Sequence, residues 1–548
     1  MRLTLTIVLL CTVQVVLSQP SLPESPVRYD TDLLAPSFHQ GRRAALSSAI
    51  PAGTVGVIFG GAERNRENDV SFEYRQSSDL YYLTGTTEPG SVLLLASGGI
   101  EVDGEAVTEL LMVPPRNPMM ESVIGRRFGV ERAQVELGIQ LVVGNDRFEE
   151  IVGGLAERKD IRFAHLALPE GVEETSELGA QVGFFRQIAN PFTMETTGRM
   201  ARMAGQYMMM ADADQFDRLK MFAASRLQAD NFEGTSRDMF DALVAAETYD
   251  DWITWRRENI DSQYADGMTL QTALAQLRMV KTDEEITLMQ RAIDITAAAQ
   301  REAMKSIEPG MHEYEIEALI EYVFRRNGAE YTGFPSIVGS GENSTVLHYE
   351  SNRRRMEAHD VVVMDIGAEY HGYSADITRT VPVDGTFSSE QRSLYELVLR
   401  AQNAGIEVSR PGNMFNDPDA AARAVISDGL VELGLIGSAE ESRRFFVHGT
   451  SHYLGLYVHD VGDYGPLRPG TVITVEPGIY ITPADDVDPK WWNIGIRIED
   501  DVLITEGDPV VLSAKAPKTV SEIETLMAAK GLGNEEAGLV DVNGVEHD

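Results

Sequence analysis

Four carboxylates in the C-terminal third of this chain sit in or beside runs that read as buried β-strands, a combination few folds can accommodate. The runs are Val361-Val-Val-Met-Asp365, Tyr373-Ser-Ala-Asp376-Ile-Thr378, Val472-Ile-Thr-Val-Glu476-Pro-Gly478 and Ile494-Gly-Ile-Arg-Ile-Glu499-Asp500. Carboxylates gathered into one core repel, and most must take up protons unless cations stand among them. Two dications balance four carboxylates. His452, an imidazole ligand, lies between the second and third acids in chain order. The set Asp365, Asp376, His452, Glu476 and Glu499 therefore predicts a two-metal hydrolytic site.

Local spacing supports this. Between Asp365 and Asp376 lies Ile-Gly-Ala-Glu-Tyr-His-Gly-Tyr-Ser-Ala. A reversal at Tyr370-His371 puts the two aspartates opposite each other on a hairpin, with Cβ atoms about 4.5–5.5 Å apart. Gly367 and Gly372 are places for a bulge. Further on, Gly495, Arg497 and Glu499 alternate with Ile494, Ile496 and Ile498, which sets Arg497 beside Glu499 on one face. Taken singly, an acid beside a strand is more often a cap, and a lone histidine more often a hydrogen-bonded core or surface group. The ordered set carries the reading.

A chain of 548 residues predicts two or more domains. Residues 1–18 read as a signal peptide: Arg2, an apolar stretch from Leu3 to Leu17, and Val16-Leu17-Ser18 before Gln19. The expected destination is export, periplasmic or secreted, with no membrane span after signal removal, since the apolar stretch is short and interrupted. Cys11, the one cysteine, lies in that leader. The mature chain would then have no disulfide, no thiolate zinc ligand and no cysteine nucleophile. The formal charge of −38 argues against nucleic acid or anionic lipid as partner and reads as solubility.

Residues 19–37, rich in Pro and Ser, read as an exposed lead-in. Residues 38–189 alternate strands and helices, with Val55–Phe59, Ser91–Leu95 and Glu109–Val113 as buried strands, and form an α/β domain. Residues 190–274 form a helical insert or connector, with Phe240, Leu243 and Val244 at helical spacing. Met208-Met209-Met210 is placed in ordinary helix packing rather than a subunit contact. Thr282-Asp-Glu-Glu285 is a capping box, followed by Ile286, Met289, Ile293 and Ile307 near one face. Pro309-Gly310 breaks that helix, and a second runs from about Glu313 to Arg326 before Asn327-Gly328. Strands and hairpins are expected to dominate afterwards. The α+β domain of residues 275–528 carries the chemistry, and 529–548 form an acidic tail, poorly ordered from Glu535.

On its motifs this second domain resembles the pita-bread (creatinase/aminopeptidase) metallopeptidases, and most closely the Xaa-Pro aminopeptidase, or aminopeptidase P, family. The motifs are Leu277-Arg-Met-Val-Lys-Thr-Asp-Glu-Glu-Ile286, Ile337-Val-Gly-Ser-Gly-Glu-Asn343, Leu347-His348-Tyr349, Asp365-Ile-Gly-Ala-Glu-Tyr370 with Asp376-Ile-Thr-Arg-Thr380, His448-Gly-Thr-Ser-His452 with Val458-His459-Asp460, Val475-Glu476-Pro-Gly478 and Gly495-Ile-Arg497-Ile-Glu499-Asp500. The first domain is similar to that family's N-terminal domain through Arg64-Asn65, Phe72, Tyr74-Arg75-Gln76 and Ser78-Asp79-Leu-Tyr-Tyr-Leu-Thr-Gly85. Residues 190–268 do not align.

The resemblance implies an α+β chain, a C-terminal pita-bread domain preceded by an α/β N-terminal domain. It implies that Asp365 binds one metal through both oxygens, that Asp376 and Glu499 bridge the pair, and that His452 and Glu476 complete the second. Manganese is favoured by the hard oxygen donors, with cobalt or zinc as alternatives. A hydroxide between the metals would attack the carbonyl before proline, and Glu476 would relay its proton to the leaving nitrogen. His348 and His459 would face the substrate and steady the oxyanion. His448 and Tyr480 would line the pocket, and Arg497 would position Glu499 or the substrate. His371 and His39 are left as surface residues. The implied partners are peptides with proline second and further copies of the chain, as a dimer or tetramer. Prolidase, a dipeptidase with the same fold and ligands, is the nearest alternative. Ser451 before His452, and Ile377-Thr-Arg-Thr380 after Asp376, favour the aminopeptidase. A non-catalytic peptide-binding protein is the alternative from another class, and the complete ligand set speaks against it.

Overall fold

The computed structural model describes residues 29–189, save 159, 167, 170, 174 and 175, together with 216–229, 234–256 and 267–534. The leader and its cleavage site, residues 19–28, Met208-Met209-Met210 and the tail from Glu535 lie outside the described residues.

The first domain is built on a five-stranded sheet in the order Leu141–Gly144, Glu105–Val113, Val92–Val102, Thr54–Phe59, Arg162–His165. The three central strands run antiparallel, and each edge strand joins parallel. Val92–Val102 and Glu105–Val113 extend beyond the expected strands and meet at Asp103-Gly104. Both turn residues have positive φ, as a two-residue hairpin turn requires. Thr54–Phe59 is buried throughout because both faces of the sheet are covered. Val55, Val57 and Phe59 meet Phe148, Ile151 and Phe185 on one side. Ile58, Leu93 and Leu95 face the other, where Leu46 of the helix Pro36–Ala49 packs.

That second face does not end at the first domain. Leu270 and Leu274, on the helix Gly267–Met279, continue it into the core of the C-terminal domain. The expected boundary at 274/275 thus falls inside a helix. Within the insert, the helices Phe216–Ala229, Gly234–Ala245 and Tyr249–Arg256 close around Phe216, Leu219, Phe240, Leu243 and Trp252.

In the C-terminal domain the helix Asp283–Ser306 begins with reciprocal capping by Thr282 and Glu285. It is followed by Glu313–Arg326, with Met289, Ile293 and Ile316 buried. The expectation that strands and hairpins dominate the rest is corrected by two long helices, Ser389–Val408 and Asp417–Glu432. Ser388 and Gln391 form a capping box there, and Leu394, Tyr395, Leu397, Val398 and Ala401 make a buried helical stripe. Val361–Ile366 lies between Ile337–Ser340 and Ile377–Pro382. Val472–Val475 pairs with Asp500–Leu503, and Gly478–Ile481 with Ile494–Arg497. Thr380 Oγ1 bonds both the N–H and the carbonyl of Arg497, and the Glu499 N–H donates to the Thr378 carbonyl, so these pieces are seamed into one wall.

Two sequence expectations fail at the domain interface. His39 and His371 are not surface residues but are 3% and 4% exposed. The described end of the lead-in is not exposed throughout, since Leu34 is buried and Asp32 is bound. The reason is the hairpin tip. The chain reverses at His371-Gly372, both at positive φ, and the tip is pressed against Tyr81 of the first domain. His39 Nδ1 meets the Tyr82 carbonyl at 2.9 Å. His371 Nδ1 lies 2.6 Å from Glu330 Oε1 and its Nε2 3.0 Å from Asp32 Oδ1, while the Tyr370 hydroxyl donates to Asp32 Oδ2.

Carboxylates only accept, so both ring nitrogens of His371 must donate, which requires the imidazolium. Burial lowers the pKa of this histidine, but the two carboxylates outweigh it and raise the pKa above 6.5. A raised pKa stabilises the fold below the unfolded value, and that stability is lost as pH rises through the folded one. Residues 30–35 are therefore expected to exchange amide hydrogens faster as pH rises above neutrality, once the intrinsic pH dependence is divided out. His371→Gln should abolish the extra dependence. An identical profile in the variant refutes it.

Candidate metal centre

The hairpin register differs from the expected one. Asp365 pairs with Thr378, and because the turn lies one residue later than expected, Asp376 stands across from Gly367. The aspartates are thus diagonal neighbours on one face rather than directly opposed. Gly367 permits this approach: a Cβ there would lie 1.9 Å from the Ala375 carbonyl oxygen.

His452 and Glu476 are brought together where the irregular stretch 450–453, bridged at Tyr453 to Ile473, runs beside the strand Val472–Val475. The Thr474 N–H donates to the His452 carbonyl at 2.9 Å, Thr474 Oγ1 accepts the His452 N–H at 3.1 Å, and the Glu476 N–H donates to the Thr450 carbonyl at 2.8 Å. His452 Nδ1 lies 3.1 Å from the Tyr453 carbonyl. A proton held there leaves the Nε2 lone pair facing the acids. That nitrogen is 3.4 Å from Asp376 Oδ2, 3.7 Å from Glu476 Oε1 and 3.9 Å from Glu499 Oε1. One ligand atom each from Asp376, His452 and Glu499 fall within 4.8 Å of one another. Thr378 Oγ1 donates to Glu499 Oε2 at 2.6 Å.

Arg497 grips Asp365 rather than Glu499, a correction to the expected pairing. Its Nη2 donates to Asp365 Oδ2 at 2.7 Å and its Nη1 to the Tyr480 hydroxyl at 3.1 Å. Tyr480 Oη, already accepting from Arg497, lies 2.7 Å from His448 Nε2 and so donates to it, while His448 Nδ1 meets the Gly449 carbonyl at 2.8 Å. Burial, then Arg497, lowers the His448 pKa to about 4, so this ring is neutral. The His459 ring lies against that of His452, tilted by 46°, with ring centroids 4.2 Å apart. Its pKa is likewise lowered to about 4, by the partial desolvation of its ring at the edge of the site and then by the neighbouring imidazoles of His452 and His348. His348 and His459 are the exposed members and mark the mouth. Asp376, His452 and Glu499 gather most tightly, and Glu476, Asp365, Arg497, Tyr480, His448, His459 and His348 stand around them through the contacts above.

Sequence reasoning missed Asp501. It is fully buried, its Oδ2 accepts the Asp376 N–H at 3.2 Å, and burial pushes its pKa well above the usual carboxylate range. The signal available was its place in the acid run Glu499-Asp500-Asp501.

The donor set fits divalent cations. Burial pushes Asp376 and Glu499 well above the carboxylate range, with the neighbouring acids adding to it, and Glu476 is raised to about 7 by burial despite His452 and Arg497. Asp365 Oδ1 and Asp376 Oδ1 are sealed from water with no hydrogen-bond partner among the described residues. Such acceptors are costly to leave unmet, and a cation satisfies both them and the like-charge repulsion.

Comparison with known proteins agrees with this geometry. Residues 287–506 match metallopeptidase family M24, and residues 39–163 match the aminopeptidase P N-terminal domain. The chain is 34% identical over 502 residues to Xaa-Pro aminopeptidase of Escherichia coli (strain K12), a match covering 89% of this chain and 97% of that one. It is 32% identical over 500 residues to Xaa-Pro aminopeptidase of Haemophilus influenzae, covering 89% and 96%. It is similar to the structure of E. coli aminopeptidase P with the inhibitor Pro-Leu, at 31% identity and a TM-score of 0.69, over 90% of this chain and 99% of that one. Zinc-substituted E. coli aminopeptidase P in complex with product gives a TM-score of 0.70 at the same identity and coverage.

Carboxylates that hold protons near neutrality must release them to bind a cation. Calorimetric titration of metal-free protein with a divalent cation at pH 6.5, in two buffers of different ionisation enthalpy, is expected to show net proton release. The amount released should fall as pH rises above 7. Buffer-independent heats at pH 6.5 would contradict the protonation described here.

Proposed function

The chain belongs to the Xaa-Pro aminopeptidases, and we propose that Asp365, Asp376, His452, Glu476 and Glu499 hold two divalent cations beside the bond before a second-position proline. It is a metal-dependent exopeptidase that releases the N-terminal residue of peptides with proline second. The observation that carries the ligand assignment is the convergence of three acids, Asp376, Glu476 and Glu499, on His452, with sealed oxygens on Asp376 and Asp365 that have no hydrogen-bond partner among the described residues. Four hard oxygen donors and one imidazole favour manganese, with cobalt and zinc as alternatives.

Bound cations polarise a carbonyl and make water a nucleophile at neutral pH. The chain's own groups do the rest. Glu476, at the edge of the cluster, takes a proton from the attacking water and returns one to the proline nitrogen. That nitrogen carries no hydrogen in the peptide and must gain one to leave. Arg497 holds Asp365 in place and orders Tyr480, which fixes the neutral His448. His459 and His348, at the mouth, offer imidazole N–H groups to the oxygen that becomes negative as the carbonyl is attacked.

We also read residues 1–18 as removed on export to the periplasm or outside, and the chain as a homo-oligomer, a dimer or tetramer. The support is the composition of the leader and the family resemblance. Mass spectrometry of the natural protein is expected to find Gln19 at its N-terminus, and an intact Met1 peptide in mature protein overturns this.

Prolidase activity is separated by substrate length. The metal-loaded protein is expected to cleave a Gly-Pro-initiated tripeptide and longer peptides. Cleavage of the Gly-Pro dipeptide alone assigns the chain to the dipeptidases. Asp376→Ala should lower turnover by more than the roughly 10- to 100-fold that loss of an outer-shell partner costs. A binding protein would instead keep its peptide affinity without metal.

A further inference from the structure

Three stretches that mark the resemblance have no part in the chemistry above: Arg75 to Asp79 in the first domain, Arg278 and Lys281 after the insert, and Asp460 beside His459. In the fold they meet. The Arg278 guanidinium, 1% exposed, donates to Asp79 Oδ1 and to Asp460 Oδ1, and Lys281 Nζ lies 3.2 Å from Asp460 Oδ2. Two cations and two anions balance in a cluster that is buried except at Asp79, whose side chain is 22% exposed. Burial disfavours the Asp460 carboxylate, but Arg278 and Lys281 outweigh it and hold the group below the usual range.

The same segment is gripped from its other side. Arg75 Nη2 donates to the Leu456 carbonyl at 2.9 Å and Ser78 Oγ to the same oxygen at 3.0 Å. The guanidinium carbons of Arg75 and Arg278 lie 5.8 and 4.8 Å from the centre of the Tyr457 ring. Gly455 lets Asp460 fold back tightly, since a Cβ there would come within 2.1 Å of Asp460 Oδ2. Residues 455–460 are thus tied at both ends, with His459 between the ties.

His459 makes no side-chain hydrogen bond to any described residue, and its ring rests on His452. The direction of its imidazole is set by the backbone that carries it. We propose that Asp79, Arg75 and Ser78 of the first domain, with Arg278, Lys281 and Asp460, are positioning residues that aim His459 at the substrate. The first domain then acts on the reaction itself. The proposal rests on the reading of His459 as a substrate-facing group.

The test is a double-mutant cycle on the full-length, metal-loaded chain with a Xaa-Pro tripeptide: wild type, Asp79→Asn, His459→Ala and the double variant. Metal content and thermal unfolding are measured on each. Asp79→Asn is expected to lower kcat by on the order of 10-fold, with KM and metal content little changed, as a small misplacement of a catalytic group does. In the His459→Ala background it should cost nothing further. An equal loss in both backgrounds, or no loss in the wild-type background, overturns the proposal while leaving the role of His459 intact. Full activity in His459→Ala sinks that role and the proposal together. Should Asp79→Asn not fold, Ser78→Ala takes its place in the same cycle, with the same outcomes deciding.

Discussion

Repulsion among buried carboxylates governs the C-terminal domain, and two acids far apart in sequence show how it is handled. Asp500 and Asp376 are both buried. Burial opposes the charge of Asp500, but Arg379 and Lys518 overcome it, with Nη2 and Nζ at 2.7 and 2.6 Å, and its pKa lies far below the usual range. Asp376 and Glu499 receive no such side chain and are driven the other way. The fold places an arginine and a lysine on Asp500, whereas at the centre Arg497 bonds one oxygen of Asp365 and no arginine or lysine bonds the carboxylate of Asp376 or Glu499 among the described residues. There the missing positive charge is left to come from outside the chain.

Much of this was legible because its signals are local. The capping box at Thr282–Glu285 and the stops at Pro309-Gly310 and Asn327-Gly328 placed two helices closely. The acids of the centre could be read because each breaks an apolar run. What escaped was non-local. Asp501 has the same composition and spacing as its neighbours, and only the approach of the Asp376 backbone gives it a place. The hairpin register turned on whether the chain reverses at Tyr370-His371 or one residue later, and a single step moves Asp376 from directly opposite Asp365 to the diagonal. The helices after Ser388 had a capping box of their own, and there the local signal was present but passed over.

The histidines show the limit most plainly. The motif resemblance sets His448 in the pocket and leaves His371 outside it, but nothing local tells their charge states: His371 lies between two carboxylates and is driven to the charged form. His448 is driven to the neutral one, by burial first and then by Arg497. His452 keeps a lone pair for the acids only because a backbone carbonyl stands at its other nitrogen. Histidine chemistry near neutrality is decided by neighbours, and here the neighbours come from elements far apart in the chain.

The same reasoning applies between domains. A bond from the first domain can orient a group in the second only if the distance between them is fixed. The apolar face shared through Leu270 and Leu274 supplies that rigidity. On this base the pairing of Arg75 with Glu369, at 2.8 Å to both carboxylate oxygens, adds direction that apolar contact lacks. Burial holds the halves together and the charged contacts set their register. That division of labour explains why the buried charges at the interface lie beside the segment carrying His459 rather than being scattered over the joint.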